Sequence, residues 1–292
     1  MRVHKLIFLE GDLCTMAKIF NNVDSLIEGI SDNNIVKQRQ KNHKGEFEVV
    51  EYYNIPSAFD IETSSFIYKG QKVGLMYEWT FGILDRLIVG RTWNEFIDMM
   101  KEIVSKLKLS ITKRLVVYIH NISFEFQFIR KHFEWDRIFA MKKHEPVYAI
   151  TKDGIEFRCS YLLTGMSLKN VAKNLMNEKL EKKVGQLDYS KIRHSQTPLT
   201  PEEWEYCYED VLIVLALIRE KIEQDGSIVS IPLTVTGYVR KHCQKVFYDK
   251  KSSSYQKLIK ILTLEEKEYL QLKRGYQGGF VHANAWRANQ TY

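Results

Sequence analysis

Ser57-Ala58-Phe59-Asp60-Ile61-Glu62-Thr63 is the stretch from which the fold can be read. It follows Asn54-Ile55-Pro56 and carries two carboxylates, Asp60 and Glu62, two residues apart in an apolar run. In a strand, residues i and i+2 point to the same face. Both acids therefore aim at one spot while Phe59 and Ile61 pack on the other face. Like charges on one strand face repel unless a cation sits between them. Hard oxygen donors favour magnesium or manganese over zinc. Alone, a motif this short is more often an ordinary solvent-facing pair on a half-buried strand, so its neighbours must decide.

Two further β-like runs follow, Val73–Ile83 and Arg86–Arg91, joined near Leu84-Asp85, which predicts an antiparallel meander. Thr92 with Glu95 forms a capping box for a helix reaching about Leu109, its stripe made by Phe96, Ile97, Met100, Ile103, Val104 and Leu107. Arg114–Ile119 is a continuous β-branched run and reads as a buried central strand. It ends in His120-Asn121-Ile122-Ser123-Phe124-Glu125-Phe126, with a helix from there to about His132. Polar groups at the carboxyl end of a strand are where sites form in α/β sheets. Val147–Tyr161 reads as a hairpin turning at Lys152-Asp153-Gly154, Met166–Met176 as a helix and Glu178–Gly185 as a charged loop. Thr200, Pro201 and Glu203 open a helix that should run to about Gln224 and stop at Asp225-Gly226.

That helix holds Tyr206 and Asp210 one turn apart, beside a core stripe of Cys207, Val211, Val214, Leu215, Ile218 and Ile222. Two more helices are expected at Thr234–Phe247 and Leu264–Lys273, the second capped by Thr263 with Glu266. Met1–Ile30 shows some helical periodicity and Ser31–Gly45 reads as a polar loop, so residues 1–50 form an N-terminal extension without evident chemistry.

The bulk numbers fit a soluble globular chain: 292 residues, 45% hydrophobic and 27% charged. No apolar run approaches the ~18–20 residues of a membrane span, and the apolar stretch near Leu6–Leu9 reads as too short for a secretory h-region. A cytoplasmic protein is expected. The cysteines, Cys14, Cys159, Cys207 and Cys243, show no C-x-x-C spacing, which argues against zinc and against a disulfide framework. Residues 226–292 hold 11 Lys/Arg against 4 Asp/Glu and so carry the whole net charge of +7. A basic quarter of this kind suits a polyanion, or is a solvated helix face.

Asp60, Glu62, Glu125 and Asp210 together supply four carboxylates. Such a set can hold two divalent cations, magnesium or manganese, about 3.5–4 Å apart, the arrangement that cleaves phosphodiesters. Tyr206 could orient the attacking water. Asn121 suits a sugar or base edge, and Phe124 suits stacking on a base.

The order and spacing of these motifs resemble the DEDD-type 3′–5′ exonucleases, most closely the proofreading domain of protein-primed family B DNA polymerases of bacteriophages and mobile elements. Asp60-Ile-Glu-Thr63 resembles the first motif, His120-Asn-Ile-Ser-Phe-Glu125 the second, and Tyr206-x-x-x-Asp210 the third. Thr164-Gly-Met-Ser-Leu-Lys169 is similar to the segment that touches the frayed primer. The resemblance implies DNA contacts at Thr63, Asn121, Phe124, Ser167 and Leu168. Tyr276-Gln-Gly-Gly279 is similar to the family's Tyr-x-Gly-Gly motif, which implies template contacts at Tyr276, Gly278 and Gly279. The family's catalytic lysine corresponds, with a register shift of one, to Lys183. The family usually has Asp where this chain has Glu125.

The resemblance covers roughly residues 54–285 and implies an α/β ribonuclease-H-like fold, a mixed sheet flanked by helices with a basic helical C-terminal connector. It divides the chain into the extension at 1–50, an exonuclease domain at 51–226 and the connector at 227–292. The implied partners are single-stranded 3′ ends and template DNA, with a terminal-protein primer as a candidate, in the cytoplasm of a bacterial host. The family's polymerase motifs have no match here, so the resemblance implies an exonuclease module without the polymerase site, as a fragment or a truncated gene. The alternatives are a catalytically impaired DNA-binding remnant and, more distantly, a ribonuclease or junction nuclease on the same fold.

Overall fold

The computed structural model describes residues 18–42, 44–178, 180, 188, 191–249 and 254–275. The chain opens with β1 (Lys18–Phe20), α1 (Val23–Ile27), β2 (Ile35–Lys41) and β3 (Phe47–Tyr53). The expected meander follows as β4 (Ser57–Tyr68), β5 (Gln71–Ile83) and β6 (Arg86–Gly90). Next come α2 (Trp93–Leu107), β7 (Lys113–Ile119), α3 (Ile122–Ile129), β8 (Trp135–Lys142), β9 (Glu145–Thr151) and β10 (Ile155–Cys159). The helices α4 (Ser160–Thr164), α5 (Leu168–Lys173) and α6 (Pro201–Asp225) complete a unit that extends to Gly237. A second unit begins at Tyr238, within α7 (Val235–Asp249), and holds α8 (Ser254–Leu262) and α9 (Glu266–Gly275).

The strands form one mixed sheet in the order β1-β6-β5-β4-β7-β10-β9-β8, with the β2–β3 ribbon joined to β7. β4, β7 and β10 run parallel at its centre, and β4–β5–β6 and β8–β9–β10 are antiparallel meanders on either side. Helices flank this sheet, and the architecture is ribonuclease-H-like. Phe59 and Ile61 point into the main core as the alternation requires. There Phe59 stacks on Phe96 of α2 with ring centroids 4.5 Å apart.

The opposite face of β4 and β5 is covered by α6, and small residues set how closely that helix approaches. Ala58 and Gly82 are cross-strand partners. A Cβ on Gly82 would come within 2.7 Å of Leu215 and 3.0 Å of Val211. The flat patch lets α6 settle onto the sheet, and that seats Asp210, beside Val211, over the strand that carries Asp60.

Helix starts obey their caps. Thr92 accepts from the Glu95 N–H while the Glu95 carboxylate accepts from the Thr92 N–H, and Thr200 with Glu203 repeats the pattern. Gly226 ends α6 in the left-handed region at φ 83°.

Several expectations need correction. Ser31–Gly45 is not a loop: Ile35–Lys41 forms β2, pairing antiparallel with β3 along seven residues. The polar composition that suggested a loop is one solvent-facing side of a ribbon. Of the helical periodicity over 1–30, the described residues keep only the five-residue α1, preceded by β1. The helix over 166–176 shortens to α5. Thr263 does not cap α9: its hydroxyl donates back to the Ile259 carbonyl at 2.6 Å, and the Glu265 N–H is taken by the Glu268 carboxylate. Among the described residues, Cys159 and Cys207 are buried free thiols and Cys243 is a half-buried one. Among the described residues no helix is long and apolar enough to cross a membrane.

Candidate active site

Alternation along β4 puts Asp60 and Glu62 on the α6 side of the sheet, half-buried. A bulge follows at once: Glu62 pairs with Glu78 but Thr63 pairs with Met76, leaving Tyr77 as the extra residue on β5. Bulges re-aim side chains and cluster beside sites. From α6, Asp210 descends to the same spot, 9% exposed. Oxygens of Asp60, Glu62 and Asp210 all lie within 4.8 Å of one another.

Glu125 enters from the first turn of α3 and is only 4% exposed. Burial, and after it the charge of Asp60, hold its carboxyl well above the usual carboxylate range. A hydrogen bond with Asp60 adds to the rise. Its Oε2 is buried and finds no hydrogen-bond partner among the described residues. A buried acceptor of this kind, facing three carboxylates, fits a cation better than it fits a core.

These groups line a cleft of about 290 Å³, walled by Phe59, Ile61, His120, Asn121, Leu168, Val211 and Val214. Asn121 occupies the left-handed region at φ 73° and caps α3 without using its side chain. Asn tolerates that conformation better than most residues, and the amide stays available to the cleft. His120 is held by Ser160, whose Oγ lies 3.0 Å from its Nδ1, and by the edge of Tyr161. It stood inside the second motif in the sequence, yet it was not among the expected site residues. Its fixed ring and its place in the lining make it one.

The other expected residues divide into three groups. Leu168 lines the cleft, and Ser167 is the cap residue just before it. Tyr206 is buried one turn before Asp210 and is not in the lining. Phe124 is 44% exposed beside Phe128, and Thr63 is half-buried just after the bulge, neither of them in the lining. Lys183, Tyr276, Gly278 and Gly279 lie outside the described residues.

Beneath the carboxylates, between β5 and α6, Glu78 is buried and accepts a 2.6 Å bond from Thr80. Burial pushes its carboxyl up to about 8. The folded state therefore binds a proton that the unfolded chain releases near pH 4.3, and stability falls by about 1.4 kcal/mol per pH unit between those values. Glu78→Gln should match the parent in thermal unfolding near pH 4 and exceed it by about 4–5 kcal/mol at pH 7–8. A constant difference between the two proteins across that range would refute the assignment.

No protein-family model matches the sequence, and no curated protein matches it. Solved structures do. phi29 DNA polymerase in a post-translocation complex with primer-template DNA matches with a TM-score of 0.56 at 17% identity, covering 80% of this chain and 41% of that one. The same polymerase with single-stranded DNA matches at 0.54 and 16%, over 79% and 41%. Its ternary complex with primer-template DNA and incoming nucleotide matches at 0.53 and 19%, over 80% and 40%. The shared feature is the fold. This chain spans about 40% of the length of phi29 DNA polymerase, and at this identity the match speaks to architecture, not to activity.

Proposed function

We propose that this protein is a divalent-metal-dependent 3′–5′ exonuclease module acting on single-stranded DNA ends, of the proofreading type found in protein-primed family B polymerases. The observation that carries the reading is the convergence of Asp60, Glu62 and Asp210 within 4.8 Å, with Glu125 lining the same cleft. Oxygen-only donors suit magnesium or manganese. Asp60, Glu62, Asp210 and Glu125 would hold the cations. When bound, divalent cations lower the pKa of a water towards 7 and stabilise a leaving oxygen.

The protein's own groups supply position. His120, fixed by Ser160, and Asn121, with its unused amide, face the space where a terminal nucleotide would lie. Leu168 closes the cleft against its base, and Phe124 offers an exposed ring for the next one. Tyr206 and Lys183 enter as the water-orienting and charge-stabilising residues that the motif order implies. Template contacts at Tyr276, Gly278 and Gly279 and a terminal-protein partner belong to the same proposal.

A 5′-labelled oligodeoxynucleotide should shorten one nucleotide at a time with magnesium or manganese and stay intact in chelator. Internal cuts, or equal degradation of RNA, would overturn the 3′–5′ DNA assignment. Glu125 supports a second reading, an impaired DNA-binding remnant, because a longer acid stands where the family has Asp. Glu125→Asp should lower the rate about 10-fold or more, since the shorter arm withdraws the oxygen that reaches Asp60. A gain of that size instead would establish the remnant.

A further inference from the structure

β2 and β3 fold back on each other with Ile35 opposite Tyr53 and Lys41 opposite Phe47. The period of two divides this ribbon into two faces. Val50 and Tyr52 are buried on the inner one. Along β2 the exposed positions alternate, and they are Lys37, Arg39 and Lys41. Facing them from β3 are Glu51, Val49 and Phe47, with Val49 56% and Phe47 58% exposed. The Arg39 guanidinium lies 4.3 Å from the Phe47 ring centroid and the Lys41 ammonium 5.4 Å from it.

The acid on this face, Glu51, is engaged by Lys37 at 3.0 Å. Among the described residues, Arg39 and Lys41 pair with no carboxylate, and Lys44 is exposed in the adjoining turn. A solvated hairpin needs no large ring on its outer side, and an apolar partner would not be met by a row of cations. Cations two residues apart on a strand stand about 6.7 Å from each other, so neighbouring side chains can reach successive phosphates. An aromatic face among them can stack on a base.

We infer that the outward face of the β2–β3 ribbon is a second nucleic-acid contact, taking single-stranded DNA with Arg39 and Lys41 on phosphates and Phe47 against a base. β3 joins β7 at Lys113, whereas the cleft opens beyond Ile119, about 20 Å along the strand. The ribbon therefore acts apart from the carboxylates, and its binding does not require hydrolysis.

The test is anisotropy of a fluorescein-labelled 30-nucleotide oligothymidylate with the full chain in chelator, across a salt series. Arg39→Ala/Lys41→Ala/Phe47→Ala should weaken binding about 10-fold or more, and the log–log salt slope should become shallower by about 1.4, for two phosphates. Phe47→Ala alone should weaken binding and leave the slope unchanged. Lys18→Ala/Lys101→Ala removes equal charge elsewhere and should stay within about 3-fold of the parent. An unchanged triple variant, a control that loses as much, or tighter duplex binding indifferent to Phe47 would each overturn the inference. Should the triple variant unfold early, Arg39→Gln/Lys41→Gln/Phe47→Leu keeps side-chain size and reads the same quantities. Asp60→Ala/Glu62→Ala should leave this binding in place, so the nuclease reading and the ribbon contact can fail separately.

Discussion

Asp60→Ala/Glu62→Ala should lose at least about 10³-fold in divalent-dependent shortening of single-stranded DNA and become more stable in the absence of metal. The rate loss follows from the donor set. Removing a single fixed donor at a site of developing charge costs about 10²–10³-fold, and this variant removes two of the three carboxylates that converge within 4.8 Å. The stability gain follows from the same distances. Without a cation the folded state must hold mutually repelling carboxylates together, and burial followed by the Asp60 charge raises the Glu125 carboxyl among them. Thermal unfolding in chelator should therefore move up in the variant. Added manganese should stabilise the parent, by about 2.7 kcal/mol at a hundred times the dissociation constant, and leave the variant unmoved. A variant that still responds to manganese would place the cations elsewhere, and one that still degrades DNA would place the chemistry elsewhere.

The site was legible in the sequence to the extent that it rests on local periodicity. Alternation in β4 fixed the face of Asp60 and Glu62, and the capping box at Thr200 fixed the phase of α6 that carries Asp210. Both follow from backbone geometry that a few consecutive residues determine. What pairing decides was not legible. The bulge at Tyr77 depends on the register between β4 and β5, and the close seating of α6 depends on Gly82 lying across from Ala58. The burial of Glu125 is likewise a tertiary outcome, since its helix shows only that an acid falls in the first turn. Ser31–Gly45 reads as a loop by composition because of its Asp32-Asn33-Asn34 and Lys41-Asn42-His43-Lys44-Gly45 clusters. The alternation of Lys37, Arg39 and Lys41 with half-buried neighbours was there to be counted.

A charge network on the α6 side of the sheet was invisible for the same reason, and its loss should be the costliest to the fold. Arg114 on β7 and Glu156 and Arg158 on β10 are all buried. Glu156 bonds Arg114 at 3.1 Å and Arg158 at 2.7 Å, while Arg114 also reaches the Tyr52 hydroxyl and Arg158 the Ile228 carbonyl. Burial and the Glu156 charge push the Tyr52 hydroxyl up to about 12, so it stays neutral and keeps its place in the network. Burial alone would raise the Glu156 carboxyl, but the two guanidinia, Arg158 before Arg114, overcome it and hold the group below its usual value. Glu156→Ala leaves two guanidinia buried without their carboxylate and should cost about 3–5 kcal/mol, read from denaturant midpoints at constant slope. Because the folded value is depressed, the carboxylate's contribution is complete above the unfolded value near 4.3 and disappears as pH falls through the folded one. The gap between parent and Glu156→Gln should therefore be widest at neutral pH and close in strong acid. Salt should change it little, since the pair is shielded from solvent. Replacing all three charges with Arg114→Met/Glu156→Leu/Arg158→Met removes the stranded cations along with their partner, and should recover most of what Glu156→Ala loses. If the triple replacement is as unstable as the single one, the network contributes by shape and packing rather than by charge.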